Sequence, residues 1–162
     1  MSPLQIFSVQ FLMSITIYSV IAKWYIWPRL KTISIYDALI PLLLLHAFRH
    51  LGLVFILPAF IGTTLPKEFA EPTAYGDLAT SVLALTSCVL LRNKLSAGII
   101  LAWITNLVGL SDFIYGFYQG VKQLVPLGPA YYIPIIANPA MYVAHFLMFV
   151  LLIRHSQKAK TT

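Results

Sequence analysis

His46, Arg49 and His50 stand at i, i+3 and i+4 inside DALIPLLLLHAFRHLGLVFILPAFI, a run from Asp37 to Ile61 that is otherwise long and apolar enough to span a bilayer. On an α-helix the three share one face. An arginine near a bilayer centre costs at least about 2.5 kcal/mol, and such groups face a bundle interior or a water-filled cavity. Three chemistries suit this face. Arg49 can sit in a buried ion pair that sets helix register. It can grip an anionic or carbonyl group of a ligand. The histidines can ligate a metal or haem, or relay protons.

The partners of that face must come from other segments. For Arg49 the first candidate is Asp112 and the second Asp77, with the Asn106 amide, backbone carbonyls or an anionic ligand as alternatives. In the last apolar run Asn138, Tyr142 and His145 stand at i, i+4 and i+7, again one face. Pro134 and Pro139 nearby free backbone carbonyls that something must satisfy. His46 lies nine residues from Asp37 and His145 nine from Arg154, so at helical rise both sit about 14 Å from the same edge. The expected ligand-binding set is therefore His46, Arg49, His50, Asn106, Asp112, Asn138, Tyr142 and His145. Haem b held by His46 or His50 with His145 is the alternative cofactor. A metal held by His46, His50 and His145 is the alternative metal site. Arg49, within one turn of both His46 and His50, repels a cation, so the expectation is a polar lining with no metal and no cofactor. Nothing in the sequence supplies a clear nucleophile or paired carboxylates, so whether the protein is an enzyme stays open.

Helices in a membrane position these residues. The chain has 162 residues, is 59% hydrophobic and only 10% charged, where soluble domains carry about 25%. Mean hydropathy is +0.83. The reading is a single all-α domain over 1–162, an integral membrane bundle of five transmembrane helices spanning about 4–27, 37–61, 75–91, 95–118 and 131–153. The first run lacks a positive flank and a small-residue cleavage site, so it is expected to stay as a span. Gly62 to Gly76 is expected as a polar loop, and the tail RHSQKAKTT as frayed. Cys88, the single cysteine, permits no intramolecular disulfide and is expected as a small buried residue. Small-residue stripes at Asp77, Ser81, Ala84 and Cys88, and at Gly98, Ala102, Thr105, Gly109, Asp112 and Gly116, suit close helix packing, with Asp112 the exception because packing alone needs no carboxylate.

Lys23, Arg29, Lys31, Arg92, Lys94, Arg154, Lys158 and Lys160 collect at one side and only Lys67 and Lys122 at the other. This asymmetry places the N-terminus outside and the C-terminus in the cytoplasm. It also accounts for the net charge of +6 without nucleic acid.

RHLGLVF (49–55), YGDL (75–78), NLVGLSDFIYGFYQG (106–120) and YYIPIIANPAMYVAHFLMFVLL (131–152) resemble a family of small bacterial integral membrane proteins without an assigned function. They are more weakly similar to DoxX-like proteins. The resemblance covers most of the chain after Arg49 and implies a bacterial cytoplasmic membrane, with no activity or residue role to carry over.

The functional expectation is a multi-pass bacterial inner-membrane protein with a buried polar site that binds or moves a small amphipathic or anionic molecule, a lipid, quinone or similar. A haem- or metal-containing redox protein using the histidines is the alternative. An accessory subunit with purely structural polar residues is the third. The expected partners are the lipid bilayer and such a ligand. A chain this short without an internal repeat works as a full carrier only as a homo-oligomer.

Overall fold

The computed structural model describes residues 1–123 and 125–161, and all regular structure among them is helical. In the expected basic tail, the side chains of Ala159, Lys160 and Thr161 and the whole of Thr162 lie outside what is described. Five helices are long and apolar enough to cross a membrane: α1 (Pro3–Leu30), α2 (Ile35–Ile56), α3 (Lys67–Arg92), α4 (Ser96–Lys122) and α5 (Gly128–Lys158).

α1 opens with a capping box between Ser2 and Gln5 and with Pro3 in its first turn. No residue between Pro3 and Ile21 is buried, although the stretch is apolar all round. A helix with that composition, packed on one side only, suits a lipid environment. A wide π-turn at Ala22–Ile26 precedes Pro28, so the helix continues to Leu30 and does not end at Trp27.

α2 departs from the uniform span expected over 37–61. Ser34 caps it, and it is α-helical only to Ala47. Phe48–Ile56 winds as 3₁₀ helix, and its buried residues are Arg49, Gly52 and Phe55, one per turn of three. The Ala47 carbonyl at the junction accepts a hydrogen bond from Ser81 Oγ at 2.6 Å. Leu57 leaves helical geometry ahead of Pro58, as residues before proline do, and ends the span.

α3 begins at Lys67, not near Tyr75. The polar string KEFAEPTA reads as loop by composition. Yet Phe69, Ala70, Thr73 and Ala74 extend the inward stripe of Asp77, Thr80, Ser81, Ala84, Ser87, Cys88 and Leu91 at spacings of three and four. Pro72 lies inside the helix and has no N–H to give the Glu68 carbonyl, which accepts from Tyr115 Oη of α4 at 3.0 Å instead. α3 packs along α4, whose Gly98 lies where a Cβ would meet the Leu91 backbone nitrogen at 2.8 Å. α4 itself runs on to Lys122. α5 starts with a 3₁₀ turn at Gly128–Tyr131 and a π-turn at Ile133–Ala137 around Pro134. Its regular helix continues to Thr161, so the described part of the tail expected to fray is helical.

α2 to α5 enclose the interior, and α1 rests on α5. Toward the basic end the core is apolar, with Leu39, Leu43, Leu91, Met148 and Leu152 fully buried. Toward the other end lies a smaller cluster around Phe55, Ile61, Leu65 and Phe69. Between them is a layer of buried polar side chains.

Candidate functional site

Arg49 is the hub of that layer, its side chain wholly buried. Its Nε donates to Asp77 Oδ1 at 2.6 Å, one Nη donates to the Gly109 carbonyl at 2.7 Å, and the other donates to Asp112 Oδ2. The guanidinium carbon lies 3.7 Å from the centre of the Phe113 ring, a cation–π contact. Both candidate carboxylates are thus partners at once, and the two acids that sequence spacing left apart form a pair around one cation. The 3₁₀ winding of α2 aims Arg49 at α3 and α4 together.

Glycines make the room. A Cβ on Gly52 would sit 1.9 Å from Asp77 Oδ2, and one on Gly76 would sit 1.9 Å from Asp112 Oδ1. A Cβ on Gly109 would crowd Arg49 Nη1, Thr80 and His145 together, each within 2.9 Å. Each glycine lies on one of the three helices that bring the charged groups together.

On the side toward the basic end, the His46 and His145 rings pack at 4.0 Å between centres and 37° between planes. Asn106 positions His145: its Oδ1 lies 2.6 Å from His145 Nδ1 and its Nδ2 donates to the His145 carbonyl at 3.3 Å. The amide oxygen therefore accepts from Nδ1, which leaves Nε2 as a lone pair. That atom and both nitrogens of His46 are buried without a hydrogen-bond partner among the described residues. Two imidazoles packed this closely leave no room for a porphyrin between them, so the pair does not fit as axial ligands of a haem.

His50 is the expected residue that the structure sets apart. It is exposed, with Nδ1 2.8 Å from the Ala47 carbonyl. In a helix of three residues per turn, position i+4 from His46 no longer shares its face. The three-histidine set for a metal is therefore not assembled. Among the described residues no group of three or more His, Cys, Asp or Glu side chains is placed to hold one.

On the other side of Arg49 opens a cavity of about 220 Å³. Its floor is Asp77 and Asp112, and its walls are largely aromatic, from Phe7 and Phe11 of α1, Phe69 of α3, Phe117 of α4 and Tyr142 of α5. Tyr142 Oη donates to the Phe113 carbonyl at 3.3 Å, and its ring lies 4.9 Å from that of Phe113. Asn138 also lines the wall, next to the π-turn at Ile133–Ala137. Thr73 Oγ1, buried on that wall, has no partner among the described residues.

The structure thus brings together His46, Arg49, Asn106, Asp112 and His145, with Asn138 and Tyr142 on the adjoining wall. Asp77, expected as the second candidate partner of Arg49 but not as a ligand-binding residue, completes the cluster with Phe113 and the three glycines. Asp77 and Gly109 were visible on the small-residue stripes of α3 and α4. Phe113 carried none.

Neither the curated proteins nor the solved structures gave a match to the chain. The weak DoxX-like resemblance found no support. A family profile matches residues 6–153, which takes in α1 as well as the segments after Arg49. The chain belongs to the family described as a domain of unknown function, DUF8737.

Proposed function

We propose that the protein crosses the bacterial cytoplasmic membrane five times, with its N-terminus outside, and binds a small amphipathic molecule in the cavity between α1, α3, α4 and α5. One observation carries the reading. The cavity is apolar and aromatic on its walls but ends on two carboxylates whose own cation is already in place behind them. Ligand sites commonly combine an apolar body with a few convergent polar groups, and at about 220 Å³ this one lies below the usual range of roughly 300 to 1,000 Å³. A small ligand suits it. Because Arg49 is engaged on Asp77, Gly109, Asp112 and Phe113, the geometry favours a ligand held by its donors over an anion gripped by the guanidinium.

α1 suits the part of a cover. It meets the rest of the bundle mainly through aromatic contacts, with Phe11 to Phe117 at 5.7 Å and Phe11 to Tyr142 at 6.0 Å, and through Tyr131 Oη donating to Gln10 Oε1 at 2.5 Å. A ligand dissolved in the bilayer can reach the cavity beside it.

The test is thermal melting of the detergent-solubilised protein with decylubiquinone, lysophosphatidylcholine and phenyltrimethylammonium. Ligands that bind only the folded state raise the melting temperature. At least one probe is expected to do so, and Gly120→Leu, which fills the cavity from a position with ordinary packing space beside Phe69, is expected to abolish the rise. No rise with any probe, or an equal rise in the variant, overturns the reading.

A further inference from the structure

We infer that the ligand of this cavity is a small organic cation, an ammonium with an apolar or aromatic body, and that it binds in exchange for a proton held by the Asp77–Asp112 pair. The inference rests on the cavity being the ligand site and adds the charge of the ligand.

The argument begins with charge balance. Asp77 on α3 and Asp112 on α4 face one guanidinium, Arg49 on α2. Three further titratable groups stand around them, His46 on α2 and Tyr142 and His145 on α5, and among the described residues none pairs with either acid: Tyr142 Oη donates to the Phe113 carbonyl, His145 Nδ1 lies against Asn106 Oδ1, and His46 has no hydrogen-bond partner. α1 has no charged residue between Pro3 and Ile21. With both carboxylates ionised, one negative charge is left without a partner inside the bundle. An unpaired charge removed from water is costly, so the pair requires one further positive charge. A proton or a bound cation supplies it.

Geometry then selects where that charge arrives. Only one oxygen of each carboxylate is engaged by Arg49. Both acids line the cavity, and the Asp112 side chain is the more open, 11% exposed against 8% for Asp77. The surrounding aromatic faces favour a cation over an anion or a neutral body of the same shape. In the exchange, the O–H bond of the protonated carboxyl breaks and its electron pair stays on oxygen. The proton leaves to water, and the ammonium takes its place beside the carboxylate. Both acids sit on one guanidinium, so they titrate as a coupled unit and the proton belongs to the pair.

The experiment is isothermal titration of purified protein with phenyltrimethylammonium, its neutral isostere tert-butylbenzene, and benzenesulfonate, in two buffers of different ionisation enthalpy. Release of about one proton per cation is expected, with affinity rising with pH because proton and cation compete. Tert-butylbenzene is expected to bind about tenfold more weakly or worse, and benzenesulfonate not at all. Asp112→Asn, which keeps an acceptor for Arg49, is expected to lose the proton release and to weaken cation binding by a similar factor. Asp77→Asn is the second variant should the first fail to fold. Equal binding of the cation and its neutral isostere without proton release overturns the inference and leaves the cavity as a ligand site. Absence of binding by all three probes, in wild type and Gly120→Leu alike, removes the cavity reading and the inference with it.

Discussion

Two carboxylates on one arginine make the residues of this cluster unequal. Removing Arg49 strands two acids, whereas removing one acid's charge leaves a balanced pair. Breaking a buried pair by deleting one partner costs about 3 to 5 kcal/mol. Arg49→Leu is therefore expected to destabilise by that amount in detergent melting. Asp77→Asn and Asp112→Asn should each cost less than half as much, and the double substitution should approach Arg49→Leu. Single asparagine variants as damaging as Arg49→Leu would show that the charge count is wrong. The glycines add a second contrast. Gly76→Ala puts a methyl group where Asp112 Oδ1 stands and must displace it. Gly62, at φ +85° with open space around it, should lose only about 1 kcal/mol on change to alanine, the ordinary cost of a left-handed residue.

Among the elements, α2 sets the site. Its change from α to 3₁₀ winding after Ala47 puts Arg49, Gly52 and Phe55 on one inward line and turns His50 outward. His50→Ala is accordingly expected to change stability by no more than about 0.5 kcal/mol, as exposed positions do. Phe55→Ala, which empties a buried site against Phe69 at 5.5 Å between ring centres, should cost about 3 kcal/mol or more. The reverse order in melting experiments would mean that the segment is a regular α-helix. α1 is the opposite kind of element. With none of its first nineteen residues buried, it contributes cover to the site and little to the core.

At the scale of the molecule the two ends differ. The basic end is sealed by the apolar core and by surface pairs, Lys94 Nζ on Asp37 Oδ1 at 2.6 Å and Arg154 over Trp27 at 4.8 Å. The cavity lies in the other half of the bundle. In the proposed topology the basic end is cytoplasmic, which puts the cavity toward the outer face. Fusions to a reporter active only outside the membrane should be active at Thr64 and silent after Ser156. Activity after Ser156 would reverse the orientation and move the cavity to the cytoplasmic side.

Composition and apolar run length were enough to read the five long helices, because a chain with so few charges leaves each span bounded by the residues that interrupt it. Arg49 and its two candidate acids stood out for the same reason: a charge in an apolar run is conspicuous. What sequence spacing could not decide was winding. The α and 3₁₀ periods differ by less than one residue per turn, yet that difference moves His50 off the site and puts Arg49 between two helices at once. The polar composition of KEFAEPTA hid its helical stripe, which is buried against Phe55 of α2 and the residues after it as well as against α4. The pairing of Asp77 with Asp112, the close approach at Gly52, Gly76 and Gly109, and the cavity itself arise where separate helices meet, and only tertiary packing creates them.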